Sequence, residues 1–341
     1  MSNVTTFPVL VVFSVVGAGL AWKGGDYLVH ASGRLGGHYG LPPIVQGAVI
    51  AAVGSSFPEL SSILVATLRY GAFELGVGAV IGSAVYNILV IPAVSALAAE
   101  GRLSSNRDLV YKEAQFYLLS LAVVLLAFTL AVLYNPVEET VETLDGTMTS
   151  LLALVPLTLY GLYIFIQYHD SVDHRRNAGR TQVDVGRQWL ILLASLVVIL
   201  VGAELLVRAA IGFGDLFGTS AFLWGLTVVA AGTSIPDTFV SVSAARVGNA
   251  SVSLANVFGS NIFALLVALP AGVLAAGSVV VDLGTVVPMM TFLIFASVAV
   301  FAVLRTELLL TTRESYLLLA IYLLFIAWLV AESIAITDFL R

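Results

Sequence analysis

The sequence has no cysteine, only four histidines, and just 11% Asp, Glu, Lys and Arg in 341 residues. Without a thiol there is no disulfide framework, no thiolate nucleophile and no cysteine zinc site. His30, His38, His169 and His174 fall in no metal-ligand spacing. Soluble domains carry about a quarter of their residues as charges. The shortage here excludes a pair of water-soluble domains, a nucleic-acid-binding protein and an acidic disordered chain. The net charge of −6 comes from loops and says little.

Apolar side chain takes the place of charge: 59% of the residues are hydrophobic and the mean hydropathy is +1.02. One or two water-soluble cores could not hide that much apolar surface. The lipid bilayer is the solvent that accepts it. A span needs about 20 apolar residues. Runs between Gly, Pro and charged breaks predict ten spans: 7–35, 41–68, 73–98, 109–134, 148–168, 188–212, 219–246, 250–276, 283–304 and 314–336. The expected fold class is an all-α polytopic membrane protein. The first segment has neither the charged start nor the cleavage site of a signal peptide, so it is read as a true helix. It is long and carries Lys23 and Asp26, which points to a tilted helix whose end leaves the hydrocarbon.

Ten spans put both termini on one side, and positive charge selects the side. With the termini extracellular, the inner loops receive 12 of the 15 lysines and arginines, and the outer side only Arg69, Arg208 and Arg341. The loop 135–147 holds Glu138, Glu139, Glu142 and Asp145 and no base, as suits an external loop. The expected location is the cell membrane. The longest polar stretch, 169–187, reads as a solvated cytoplasmic linker, its four arginines diluted by three aspartates.

The two halves repeat each other. Between GGDYLVHAS (24–32) and VGAELLVRA (201–209), setting Asp26 against Glu204 gives an offset of 178. The same offset carries Gly47 onto Gly225, Gly54 onto Gly232, Pro58 onto Pro236 and Glu59 onto Asp237. Beyond the carboxylate it becomes 177, matching Arg69 to Arg246, Gly82 to Gly259 and Ser83 to Ser260. Five spans per half is an odd number, so the second copy enters the membrane inverted. The expected organisation is a first five-helix repeat (1–168), the linker, and a second inverted repeat (188–341). Inverted repeats characterise secondary transporters, with the site at the midplane where the repeats meet.

The polar residues of the repeat carry the chemistry. GSSFPEL (54–60) and GTSIPDT (232–238) each place one carboxylate half-way along an apolar span. An acid there costs about 2.5–3.5 kcal/mol even on insertion scales, which marks Glu59 and Asp237 as functional. Pro58 and Pro236 have no N–H for the carbonyls of Gly54 and Gly232, so both helices are expected to break near the midplane. That would leave carbonyls of Ser55 and Thr233 facing inward, beside the hydroxyls of Ser56 and Ser234. Carboxylate, carbonyl and hydroxyl oxygens without nitrogen or sulfur suit a hard cation, and two carboxylates balance one Ca²⁺. In GSAVYN (82–87), Ser83 and Asn87 are four apart on one helix face; GSNIFA (259–264) supplies Ser260 and, at the position of Asn87, Ala264. Gly82 and Gly259 are small enough for close helix approach.

These segments resemble the two alpha repeats of the cation/calcium exchanger superfamily, in particular sodium/calcium exchangers. The likeness covers the ten-span topology and is close over about 41–98 and 219–276. GSSFPEL with GSAVYN, and GTSIPDT with GSNIF, look most like the potassium-dependent branch. The resemblance implies Ca²⁺ coordination by Glu59 and Asp237 with carbonyls at Ser55 and Thr233. It implies Na⁺ sites among Ser56, Ser83, Asn87, Ser234 and Ser260, and alternating access by sliding of the first and sixth spans. One departure is Ala264, where the branch pattern has an acid. The expected function is therefore Ca²⁺/Na⁺ antiport, with no cofactor beyond the transported ions and no obligate protein partner. Proton-driven Ca²⁺ exchange is the alternative with the same residues. A cation channel fits inverted repeats poorly, and an intramembrane enzyme would need a Ser/His or metal-His constellation that the spans lack.

Overall fold

The computed structural model describes residues 6–39, 52–107, 109–137, 144–172, 183–305 and 308–333. Among them, nine helices are long and apolar enough to cross a membrane. Helix α1 (Phe7–His38) starts with proline in its first turn, where the missing N–H is harmless. At 32 residues it exceeds a perpendicular crossing of the hydrocarbon, as its internal Lys23 and Asp26 suggest. Of the second expected span only α2 (Ala52–Ser55) and α3 (Phe57–Tyr70) fall among the described residues. Residues 41–51, with Gly47, lie outside them. So do most of the linker, the acidic residues 138–143 and both chain ends.

The remaining spans are α4 (Phe73–Ala98), α5 (Ala114–Tyr134), α6 (Ser150–Val172), α7 (Val185–Phe217), α8 with α9 (Ala221–Trp224, Ala230–Arg246), α10 with α11 (Ala250–Phe263, Leu269–Ala276), α12 (Leu283–Arg305) and α13 (Thr312–Ser333). The chain is a polytopic membrane protein with the expected arrangement of spans. Helices α6 and α7 run to Val172 and from Val185, further into the expected linker than the apolar runs do.

Burial sorts the spans into two layers. About 89% of the apolar window of α4 and 83% of that of α10–α11 lie inside the protein, against 22% for α1 and 33% for α7. Helices α4 and α10 are apolar all round because protein surrounds them; α1 and α7 turn Val15, Leu190 and Val197 outward to lipid. Helices α3 and α9 lie between the layers, α3 against α4 and α7, α9 against α4 and α1.

Two features depart from an all-helical reading with symmetric breaks. Among the described residues, four short strands form two antiparallel ribbons: β1 (Arg102–Ser104) with β4 (Leu309–Thr311), and β2 (Asp145–Thr149) with β3 (Ser278–Asp282). They tie loops of one half to loops of the other. The proline breaks also differ. In the first repeat the helix is interrupted at Ser56, so Pro58 falls in the first turn of α3 and disturbs no bond. In the second repeat α9 runs through Pro236, and the irregularity lies upstream as a π turn over Gly225–Val229.

Candidate cation site

The break at Ser56 and the chain of α9 bring the two signature motifs face to face between α4 and α10. Eight of the nine expected residues are linked there by hydrogen bonds, namely Ser55, Glu59, Ser83, Asn87, Thr233, Ser234, Asp237 and Ser260. Ser56, at the break itself, is buried with them, and none of the nine is more than 2% exposed. Glu59 stands in the first turn of α3 and Asp237 one residue after Pro236 in α9. Ser83 Oγ donates to Glu59 Oε1 at 3.1 Å, and its repeat mate Ser260 Oγ donates to Asp237 Oδ1 at 2.9 Å. The halves also cross over, with Thr233 within hydrogen-bonding reach of Glu59 and Ser55 of Asp237. Ser83 and Ser234 lie 2.8 Å apart, Ser55 and Ser260 3.5 Å.

The two carboxylates are nevertheless unequal. Asp237 is also approached by Asn87 Nδ2 at 3.2 Å and Asn256 Nδ2 at 3.5 Å. Glu59 Oε2 has no hydrogen-bond partner, and neither do Asn87 Oδ1, Asn256 Oδ1 and Ser56 Oγ, all buried. No basic side chain pairs with either acid among the described residues. Two buried carboxylates without a cation, surrounded by acceptor oxygens short of donors, are costly unless a positive ion joins them. The donor set is all oxygen, as a hard cation requires. No larger acidic or histidine cluster that could hold a metal occurs among the described residues.

Two polar residues escaped the sequence reading. Asn261 donates to the backbone carbonyl of Ala84, its own repeat mate, at 3.2 Å and accepts from Asn87 at 3.1 Å. Asn256 bridges Asp237 and Ser241. Asn256 is four residues before Ser260, so helical spacing carried the signal. Ala264, mate of Asn87, is buried in the apolar core at the start of a π turn over Ala264–Ala268.

Helices α1 and α7 wall the site on its two flanks. At Gly25 an added Cβ would touch the Pro236 ring at 3.5 Å, and at Gly54 one would press on Val29 at 2.9 Å. One cavity of about 400 Å³ runs between α1 and α9, past Asp26, His30 and Phe239, to Ser55 and Pro236. Lys23 also lines it, so the charge count expects this cavity on the side that holds most of the lysines and arginines.

The sodium/calcium exchanger protein family model matches residues 9–169 and 187–331, nearly the whole chain. The chain belongs to this family. Sodium/calcium exchanger MaX1 of Methanosarcina acetivorans is 28% identical over 275 residues, 70% of this chain and 75% of that protein. Sodium/potassium/calcium exchanger 1 of Mus musculus is 42% identical over 78 residues, 23% of this chain and 7% of that one. A solved structure of the sodium-calcium exchanger NCX_Mj, soaked with Na⁺ and Sr²⁺, superposes with a TM-score of 0.65 at 25% identity, covering 94% of this chain and 99% of that one. The family model and the NCX_Mj structure thus extend over both halves, and the inverted-repeat fold is that of the family.

Proposed function

We propose that this chain exchanges Ca²⁺ for Na⁺ across the cell membrane by alternating access to the site between Glu59 and Asp237. The observation that carries the reading is the pair of fully buried carboxylates with no basic partner among the described residues, close to oxygens without partners there. Ca²⁺ accepts six to eight flexible oxygen ligands, and two carboxylates neutralise it. Glu59 Oε2 and Asp237 supply the charge, with carbonyls at Ser55 and Thr233 completing the shell. Na⁺ needs only one charge per ion, and the hydroxyls and amide of Ser56, Ser83, Asn87, Ser234 and Ser260 offer neutral oxygens beside the acids. The two ions compete for the same carboxylates, which is the condition for exchange rather than co-transport. Membership of the family supports the same reading. The excess of lysine and arginine assigns the cavity face to the cytoplasm and both termini to the outside. No step requires a cofactor or covalent chemistry, so we read the protein as a transporter and not an enzyme.

The test is Ca²⁺ flux in proteoliposomes with Na⁺, K⁺ and pH gradients imposed separately. An imposed Na⁺ gradient is expected to drive Ca²⁺ uphill. Flux that follows only the pH gradient would replace Na⁺ by protons, and downhill Ca²⁺ flux without any coupled ion would overturn exchange.

A further inference from the structure

At the face opposite the cavity, Glu204 on α7 is clamped to the end of α3. Its Oε1 receives Tyr70 OH at 2.6 Å, Arg208 Nε at 2.6 Å and Arg69 Nη1 at 3.2 Å. Arg208 Nε also approaches Tyr70 OH at 3.0 Å. The repeat assigns each member a mate on the cavity face: Asp26 for Glu204, His30 for Arg208, Arg246 for Arg69 and Val247 for Tyr70. There the contacts differ. Asp26 pairs only with His30 of its own helix, at 3.5 Å, and Arg246 has no ion pair among the described residues. The side chain of Glu204 is 15% exposed and that of Asp26 45%. The clamp is closed at the end of α3, and its mate is apart where the cavity runs past Asp26 and His30.

Helices α1 and α7 are antiparallel, with Phe7 of one against Phe217 of the other. They are locked at two repeat-related points, Gly17 on Gly202 and Gly24 on Ser195, where an added Cβ would come within 3.1 Å of the partner backbone. A pair so joined moves as one body. A displacement along the membrane normal that draws Glu204 away from Arg69 then shifts Asp26 by the same amount past α9, and in the sense that runs towards the Arg246 end of α9 it brings Asp26 to that arginine.

From this geometry we infer that Glu204–Arg69 and Asp26–Arg246 are two mutually exclusive latches, each closing one face of the site when the other opens. This rests on the alternating-access reading given above. It adds the residues that hold each end state and a reason why the two states are not equivalent. The cavity-face latch has Val247 in place of the tyrosine hydroxyl and His30 in place of the arginine, so it makes fewer bonds. The resting balance accordingly favours the state seen here, closed at Glu204.

The native chain has no cysteine, so paired cysteines report cleanly. Arg69→Cys with Glu204→Cys, and Asp26→Cys with Arg246→Cys, are each treated in membrane vesicles with a short bifunctional thiol reagent. Both pairs are expected to cross-link, and in a four-cysteine chain either link should suppress the other. The 69/204 link also serves as the folding control, because that contact already exists. Linking at 69/204 with none at 26/246, under either Na⁺ or Ca²⁺, would overturn the inference, and so would both links forming in one molecule. These readouts need no transport, so failure of the latch is told apart from failure of the exchange reading. In flux assays, Asp26→Arg and Arg246→Asp are each expected to slow exchange about tenfold, and the double swap to return most of it. Absence of any recovery in a chain that still cross-links at 69/204 would also count against the pairing.

Discussion

Glu59 and Asp237 are repeat mates with the same charge, yet their surroundings make them respond differently to the same neutralisation. Asp237 is met by Ser260, Asn87 and Asn256, all donors, whereas Glu59 Oε2 meets none. In Asp237→Asn the new amide must turn an N–H group towards a donor, and one buried hydrogen bond is lost, a cost of about 1–3 kcal/mol. In Glu59→Gln the amide can point to the Oε2 side without conflict. Both variants are expected to lose nearly all Ca²⁺ flux, but only Asp237→Asn should lower the melting temperature in detergent. Wild-type flux in both would remove the site assignment. Ala264 leads to a second expectation. A third acid at position 264, the repeat mate of Asn87, would call for a further cation in a low-dielectric pocket. With alanine there, exchange should persist when K⁺ is replaced on both sides by a bulky organic cation. Loss of flux under that substitution would refute it.

Glycines set how closely the moving and fixed elements approach. An added Cβ at Gly82 would lie 2.8 Å from Ala230 Cβ and overlap the Leu226 backbone, which is why α4 can lie directly on the π turn before α9. Gly202 does the same for α1 and α7: a Cβ would stand 2.8 Å from the Gly17 carbonyl and the Ala21 amide. Gly19, on the lipid-facing helix α1, has nothing within 4 Å of an added Cβ. Gly202→Leu is therefore expected to cost about 1–3 kcal/mol or more by overpacking and to slow exchange, and Gly19→Leu to do neither. Thermal unfolding and flux of the two variants, side by side, decide it. Equal behaviour would mean that α1 and α7 are not held by close backbone contact.

At the scale of the whole molecule, the ribbons give the topology an internal consistency. Strand β1 follows α4 and pairs with β4 ahead of α13, and both loops fall on the lysine- and arginine-rich side; β2 and β3 fall on the other. Arg69 meeting Glu204 likewise joins two ends that the charge count puts outside. The prediction is that an impermeant thiol reagent applied to intact cells labels Leu144→Cys, which is 62% exposed, and not Arg176→Cys. Labelling at position 176 from outside would reverse the assigned orientation.

Composition alone determined that this chain lives in lipid, because no aqueous core can bury so much apolar side chain. The repeat offsets determined that it is inverted, because an odd number of spans separates the copies. The motifs also named the acids, since a carboxylate in mid-span is too costly to be incidental. Other features were decided only in three dimensions. Asn261 was invisible to repeat matching because its mate is alanine, and its partner is the backbone of that alanine. Both prolines predicted a break, but only the first repeat shows one at its motif, at Ser56, while α9 runs through Pro236. The inequality of the two acids arises from which donors face each oxygen. Sequence symmetry fixes what the halves share; packing between them decides where they differ.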